Sequence, residues 1–337
     1  MPSCPSTPAP ATRGAVPLGR RALLGGALGG PALLVPACSG GEAQAGAAGA
    51  GAAAGATTTV TGAHGPVAVP RDPRRVLTMY PTDTDAALAL ELPLVAAPGA
   101  RGTAAQPFAR YQADQLAGVT RITGGFEPNW EEIAALAPDL VLDSVLSPED
   151  RQAYDRLSEL APTLSYGTQD WRENLRTVAA AVGREDAAAR AVAAVEARAA
   201  DVRAQVGDRW RGRTAASVFV QPDGLVVADA DAQVSRLLEQ ELGLTLHPLV
   251  VREGERTALS FEQVSLLDAD VLLVPVYPSE TSLDRDRGAL DDLARQPLWA
   301  TLPAVLAGQV HEFDGELVYA SVGTVSALLE RLREVLG

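Results

Sequence analysis

The chain has 337 residues, 47% of them apolar, and a formal net charge of −14. Its length suggests about two domains of ordinary size, and its composition allows a sizeable core. The negative balance argues against a nucleic-acid partner, and the absence of Lys excludes a phosphate-loop lysine and a Schiff-base lysine. Two Cys and three His, all far apart, do not match zinc-finger or iron–sulfur spacings.

Residues 1–37 have the pattern of an export signal. Arg20-Arg21 precedes two Leu and a short Gly/Ala/Leu-rich run, which resembles a twin-arginine signal and is too short for a permanent membrane span. The run ends in Val35-Pro36-Ala37-Cys38, which resembles a bacterial lipobox. We expect Cys38 to become the lipidated first residue of the mature protein; ordinary cleavage is the alternative.

A Gly- and Ala-rich tether and two folded lobes are predicted to follow. Residues 38–62 are too poor in large apolar and charged side chains to order themselves. Beyond them, strand-like apolar runs alternate with helical stretches, which predicts parallel sheets covered on both faces. The strand-like runs are 75–80, 94–97, 139–143, 215–221, 270–276 and 309–313. We assign an N-terminal α/β lobe to 63–169 and a C-terminal α/β lobe to 212–337.

The middle of the chain shows almost no strand pattern. Residues 171–182 form one amphipathic segment, which Gly183 interrupts, and 184–210 are Ala-rich with apolar residues at helical spacing. A helix of about 25 residues spans roughly 38 Å, which is long for a crossover inside one small sheet. We therefore predict bridging helices over 170–211 that join the two lobes.

An internal repeat supports the two lobes. Residues 129–142 and 260–273 align without gaps, and each opens with a capping residue followed by a short helix that leads into an apolar strand. Each copy has an acid in its first helical turn, Glu131 or Glu262. Such an acid complements the helix dipole; alternatively, the two lobes display equivalent carboxylates to a symmetric partner.

In open α/β sheets a ligand site lies beyond the carboxyl ends of the strands. This rule selects Tyr80, Gln221, Tyr277 and Tyr319, and Arg101 is the best placed basic residue near the end of the second strand. A Tyr side chain packs on a flat ligand face while its hydroxyl bonds a ligand oxygen. The alternative for each is a half-buried rim residue, or a plain surface residue for Arg101.

Several segments together resemble one family, the periplasmic substrate-binding lipoproteins of ABC importers for ferric siderophores, haem and cobalamin. The resemblance covers about residues 66–335. The segments that carry it are Pro73–Leu77, Glu127–Glu131, Ile133–Leu140, Trp171–Leu175, Leu259–Gln263, Pro297–Trp299 and Leu302–Val305.

The resemblance implies two Rossmann-like lobes with parallel sheets, joined by a single long bridging helix, with a ligand cleft between the lobes. It implies a monomeric, lipid-anchored protein on the outer face of the cytoplasmic membrane, which is not an enzyme and carries no cofactor or metal of its own. Such a protein captures an iron(III)-siderophore complex and delivers it to an ABC permease dimer. In this family one Glu on each lobe meets Arg residues of the permease, and the matching residues are Glu131 and Glu262.

The ligand class stays open at this point. The hydroxamate-binding branch places an Arg where this chain has Gly125, and its Tyr after the following strand has no counterpart in 144–147. Cobalamin and haem are alternatives, with a Tyr as axial haem ligand. Free metal ions would need converging ligands, whereas His64, His247 and His311 are scattered.

Two other classes of function are possible on sequence alone. A secreted α/β hydrolase is one, although the chain has no Gly-x-Ser-x-Gly or His-Glu-x-x-His motif. Acidic pairs such as Asp83 and Asp85 are weak support for catalysis because acids are abundant. A surface adhesion protein with the same two lobes is the other.

We assign the side chains of Trp171 and Trp299 to packing.

Overall fold

The order of helices and strands follows from alternating apolar patterns and from local capping residues. The computed structural model describes residues 56–99, 108–123, 128–144, 151–168, 170–252, 255–277 and 283–337. Cys38 and Arg101 lie outside the described residues, as do the signal and most of the predicted tether.

The N-terminal lobe is built on a parallel sheet with the strand order β5-β4-β3-β6-β7 and a separate antiparallel β1–β2 hairpin. Its elements are β1 (Thr57–Gly62), β2 (Gly65–Pro70), β3 (Val76–Thr78), α1 (Pro81–Ala89), β4 (Leu94–Pro98), β5 (Thr120–Ile122), α2 (Trp130–Leu136), β6 (Leu140–Ser144), α3 (Arg151–Leu160) and β7 (Thr163–Tyr166). A 3₁₀ turn covers Ala113–Leu116.

Two bridging helices follow, α4 (Trp171–Val182) and α5 (Glu185–Trp210). Asp170 caps α4 through a bond from the backbone N–H of Arg172, and the helix ends at Gly183 in a left-handed conformation (φ 68°). A residue with a Cβ is strained in that conformation, so Gly183 produces the break between the two helices.

The C-terminal lobe has a mixed sheet with the order β11-β9-β8-β12-β13, and β10 pairs with one end of β8. Its elements are β8 (Thr214–Gln221), β9 (Gly224–Val227), α6 (Gln233–Arg236), β10 (Thr245–Leu246), β11 (Ala258–Ser260), β12 (Val271–Val276), α7 (Leu283–Ala294), α8 (Pro303–Leu306), β13 (Val310–Asp314) and α9 (Val322–Leu336). Short 3₁₀ or π turns cover Leu237–Glu241, Phe261–Leu266, Trp299–Thr301 and Gly315–Val318.

The predicted fold class of two α/β lobes with a long bridging helix is confirmed. Strands β9 and β11 differ from the prediction of parallel sheets, because β9 returns antiparallel to β8 directly after a two-residue turn. The repeated segments occupy equivalent places, since each leads into a central strand, β6 or β12. Strand β1 begins at Thr57, within the stretch 38–62 for which the sequence predicts a tether.

The largest hydrophobic cluster extends through both lobes. It combines residues of the N-terminal sheet such as Leu140 with residues of α5 such as Val202 and of α9 such as Leu328. Helix α9 packs on α5 and also on α1. The two sheets are therefore attached to one shared helical layer.

Candidate ligand-binding cleft

The N-terminal sheet changes winding direction between β3 and β6, which are neighbours although α1, β4, β5 and α2 separate them in sequence. Open α/β sheets bind ligands beyond the carboxyl ends of the strands at such a point. Thr82 follows β3 and Ser144 ends β6, and their hydroxyl oxygens lie 2.7 Å apart. This pair forms part of the wall of a cavity.

The C-terminal sheet contributes the opposite wall. Tyr277 comes directly after β12, Val318 ends the 3₁₀ turn beyond β13, and Tyr319 follows that turn. A Cβ on Gly315 would lie 2.7 Å from Cγ of Tyr277. The absence of a side chain at Gly315 therefore lets the Tyr277 ring lie against the backbone.

A cavity of about 570 Å³ lies between the two lobes, within the range of small-molecule sites. Both lobes and the first bridging helix line it. The lining side chains with polar or aromatic groups are Thr82, Ser144, Tyr166, Thr168, Trp171, Asn174, Phe219, Gln233, Arg256, Tyr277, Tyr319 and Ser321.

The structure places the predicted ligand-binding residues in different surroundings. Tyr277 and Tyr319 line the cavity. Gln221 lines a smaller cavity of about 80 Å³ that shares Phe219 and Tyr277 with the main one. Tyr80 is the N-cap of α1 and packs against a separate apolar cluster that contains Leu77.

Sequence reasoning missed several lining residues. Trp171, assigned to packing, is buried in the core and also lines the cavity. Phe219 lies within β8, Gln233 begins α6 and Arg256 precedes β11. No local sequence pattern marks these positions, because they converge only when the lobes are assembled.

Three buried carboxylates lie behind the N-terminal wall. Oδ1 of Asp83 accepts bonds from the hydroxyl of Tyr166 and from the backbone N–H of Ser144, both at 2.8 Å. Asp143, the second carboxylate, accepts a bond from Ser165. Burial is the main reason that the pKa of Asp83 is raised to about 7, and the charge of Asp143 adds to this shift. This wall therefore contains acidic groups, and burial keeps Asp83 partly protonated at neutral pH.

Asp85, the third carboxylate, joins the two lobes. It accepts bonds from Tyr111 (3.1 Å) and Gln112 (2.6 Å) in the N-terminal lobe and from the hydroxyl of Ser321 at the start of α9. Burial raises the pKa of Asp85 to about 6, although these bonds oppose the shift. A carboxylate at a helix N-terminus is favoured by the helix dipole.

Comparison with known proteins agrees with this architecture. A profile described as "Periplasmic binding protein" matches residues 76–317, which is more than half of the chain. The chain belongs to the periplasmic binding protein family. The family resemblance predicted from the sequence is thereby confirmed.

This periplasmic binding protein has relatives among curated proteins and solved structures. "Probable siderophore-binding lipoprotein YfiY" of Bacillus subtilis is 27% identical over 77% of this chain and 80% of its own length. "Ferric enterobactin-binding periplasmic protein FepB" of Escherichia coli is 26% identical over 81% and 89%. The Staphylococcus aureus SirA complex with staphyloferrin B aligns with a TM-score of 0.70 and 24% identity over 83% and 98%.

The two Glu residues of the repeat are both exposed on this periplasmic binding protein. Glu131 lies in the first turn of α2, where the Asn129 side chain accepts a bond from the backbone N–H of Glu132 (3.2 Å). Glu262 follows Ser260, which forms a full capping box with Gln263. A hydrogen bond from Ser260 lowers the pKa of Glu262, so this carboxylate is ionised at neutral pH.

The His residues have separate local partners. His247 is buried and its Nε2 lies 2.8 Å from Asp268, whereas His311 contacts Gln309 and His64 contacts the ring of Tyr154. Across the described ranges, no group of three or more His, Cys, Asp or Glu is arranged to hold a metal ion. No helix in those ranges is both long and apolar enough to cross a membrane.

Proposed function

We propose that this protein is a lipid-anchored, extracytoplasmic solute-binding protein that captures a ferric siderophore and delivers it to an ABC permease. The observation that carries the proposal is the 570 Å³ cavity bounded by both lobes and α4, in a member of the periplasmic binding protein family. Relatives whose names specify siderophore or ferric enterobactin binding support the ligand class. In this function no covalent bond is made or broken.

The cavity walls offer a ligand both flat apolar surfaces and hydrogen-bonding groups. Trp171, Phe219, Tyr277 and Tyr319 offer flat apolar faces to the organic part of the chelate, and the Tyr hydroxyls offer hydrogen bonds. Burial of this apolar surface supplies most of the affinity, and the polar groups set the ligand orientation. Arg101, Gln221 and Tyr80 remain proposed contributors.

Delivery uses the outer surface and the membrane anchor. We assign permease docking to the exposed Glu131 and Glu262, one on each lobe, and lipidation to Cys38. Charge pairs at such an interface mainly set orientation and association rate, and they weaken as salt is added. A monomer presents one Glu of the repeat to each half of a permease dimer.

Ligand titration tests the binding function. The purified protein is titrated with a panel of ferric siderophores, haem and cobalamin, and Trp fluorescence is followed because Trp171 lines the cavity. We expect quenching with submicromolar affinity, below about 10⁻⁶ M, for a ferric siderophore. Failure of every ferric complex would contradict the proposal, and preference for haem or cobalamin would replace the ligand class.

Uptake measurements test docking separately. Glu131→Ala with Glu262→Ala should leave ligand affinity unchanged and abolish uptake of the labelled chelate in cells. Glu173→Ala, an exposed acid on α4, is the matched control and should transport normally. Normal uptake by the double variant would reject the docking assignment while leaving the ligand assignment intact.

A further inference from the structure

The charge of the cavity limits the charge of its ligand. Arg256 is the one basic side chain that lines the cavity among the described residues. Its Nε donates to Oδ2 of Asp229 at 2.5 Å, and its guanidinium lies 6.0 Å from the centre of the Phe219 ring. Partial burial opposes ionisation of Asp229, but the bond and charge of Arg256 lower the pKa of this acid. The positive charge of Arg256 is thus already compensated.

The two Arg residues of an adjoining cavity are also paired. Arg172 and Arg236 line a small adjoining cavity of about 50 Å³. Arg172 donates to Glu241 (2.7 Å) and Glu196 (3.3 Å). Arg236 donates to Asp231 at 3.0 Å. No excess positive charge therefore comes from this side.

In the sequence, the stretches between the described ranges hold more acids than basic residues. The stretches 100–107, 124–127, 145–150, 169, 253–254 and 278–282 contain one basic residue, Arg101, and five acids. At the start of α7, Asp284 and Asp286 match Arg285 and Arg287 in number. By sequence alone, these stretches add more negative than positive charge.

The walls themselves favour a ligand with little negative charge. Asp83, Asp85 and Asp143 are bonded to or beside lining residues of the N-terminal lobe and of α9. On the other side, Oε1 of Gln233 is buried without a hydrogen-bond partner, and only 6% of this residue is exposed. A buried carbonyl oxygen calls for a donor and is repelled by an anionic ligand oxygen.

We propose that the cleft selects a ferric complex with no net charge or a single charge and rejects polyanionic complexes. Three monoanionic hydroxamates neutralise ferric iron, whereas three dianionic catecholates leave three negative charges. Burying such a trianion needs compensating cations. An uncompensated charge loses its favourable hydration free energy, and no ion pair or hydrogen bond of the protein replaces it. This inference rests on the proposed siderophore function and adds the charge class of the ligand.

The departure from the hydroxamate branch at Gly125 concerns the donor type of the ligand, whereas the cavity argument concerns its net charge alone. The ligand should also carry a hydrogen-bond donor on its periphery, opposite Gln233, and apolar surface against Phe219 and Trp171.

A titration with ferric complexes of different net charge tests the inference. The purified protein is titrated with ferrichrome (neutral), ferrioxamine (one positive charge), ferric enterobactin (three negative charges) and ferric citrate. We expect the tightest ligand to be ferrichrome or ferrioxamine, at least about tenfold tighter than enterobactin. A polyanion as the tightest ligand would overturn the charge inference and leave siderophore binding standing. No binding of any complex would overturn siderophore binding itself.

Variants separate charge from shape. Gln233→Arg adds an unpaired cation to the wall and should shift the enterobactin-to-ferrichrome affinity ratio towards enterobactin by about tenfold. Gln233→Met, of similar length, removes the amide oxygen without adding a cation and should shift the ratio by less than about threefold. Arg256→Gln should change the ratio by less than about threefold, because Asp229 already neutralises this Arg. A large loss of enterobactin affinity in Arg256→Gln would show that Arg256 recognises anions and would reject the inference.

Discussion

Asp83 acquires its properties from residues that are distant in sequence. Its carboxylate is fully buried and accepts bonds from Tyr80, Ser144 and Tyr166. Position 83 in the chain is an ordinary acid in the first turn of a helix, where acids are common. Only the folded sheet brings β7 and the end of β6 over it.

A pH dependence of stability follows from Asp83. The pKa of this group is higher in the folded protein, at about 7, than its ordinary 3.8. Between these two pKa values the folded state therefore holds more protons than the unfolded chain. The free energy of unfolding falls as the pH rises through this range. The slope is at most about 1.4 kcal/mol per pH unit. We expect Asp83→Asn to flatten it, as measured by urea unfolding between pH 4 and 7.

Asp114 provides the control for this measurement. It is exposed in the first turn of a 3₁₀ segment, so Asp114→Asn should leave the slope unchanged. An unchanged slope in Asp83→Asn would show that other groups carry the pH dependence. The slope, rather than the absolute stability, is informative because an amide cannot accept all three bonds of the carboxylate.

Two Tyr residues show which part of the site could not be predicted from the sequence. Tyr277 and Tyr80 both follow a parallel strand, so the strand-end rule treats them alike. Tyr277 faces the cavity across Gly315, whereas Tyr80 caps α1 and contacts an apolar cluster. The direction of a side chain after a strand depends on where the next helix begins, and α1 begins at Pro81, directly after Tyr80.

At the element scale, α9 depends on close contact with α1. Ser321 caps α9 and donates to Asp85, and Gly323 is the second helical residue. A Cβ on Gly323 would lie 2.3 to 2.5 Å from atoms of the Asp85 carboxylate. Only a residue without a side chain permits this approach.

We expect Gly323→Ala to destabilise the protein by about 1–3 kcal/mol, since it forces the two helices apart. Gly207→Ala in α5 is the matched control, because a Cβ there has no atom within 4 Å. That control should stabilise by up to about 1 kcal/mol through helix propensity. Chemical denaturation compares the two variants, and equal effects would contradict the contact with Asp85.

The ends of α5 and α9 are joined by one buried hydrogen bond. Nε1 of Trp210 donates to the carbonyl oxygen of Leu336 at 2.8 Å. Trp210→Phe removes the donor and leaves a buried carbonyl oxygen unpaired, at a cost of about 1–3 kcal/mol. Trp130→Phe, at a half-buried ring that lies below Arg156, should cost less than about 1 kcal/mol. A thermal melt with no difference between the two variants would refute this role.

Elements with strong local patterns are the ones that the sequence predicts well. The segments 171–182 and 184–210 match α4 and α5 within one residue, because a periodic apolar face and Gly183 define them. The β1–β2 hairpin is different. Strand β1 is mostly Thr with a single Val, so it carries little hydrophobic pattern. The hairpin contacts β7, where the backbone N–H of Ala63 donates to the carbonyl oxygen of Ser165 at 2.7 Å.

At the scale of the whole molecule, one helical layer holds both sheets. The largest apolar cluster includes members from β6, α5, β12 and α9, and Asp85 adds a polar link between α1 and α9. Arg172 fixes α4 to the C-terminal lobe through Glu241. Opening the cleft widely would require these buried contacts to separate.

Small lobe movements on ligand binding are therefore expected. Interdigitated cores resist gradual deformation, so movement of one lobe requires repacking across α5 and α9. Small-angle X-ray scattering with and without a saturating ferric ligand should show a change in the radius of gyration below about 1 Å. Gly323→Ala, which loosens the α1–α9 contact, should increase this change. A shift above about 2 Å in the unsubstituted protein would indicate hinge closure and would contradict a bridge that holds the lobes at a fixed separation.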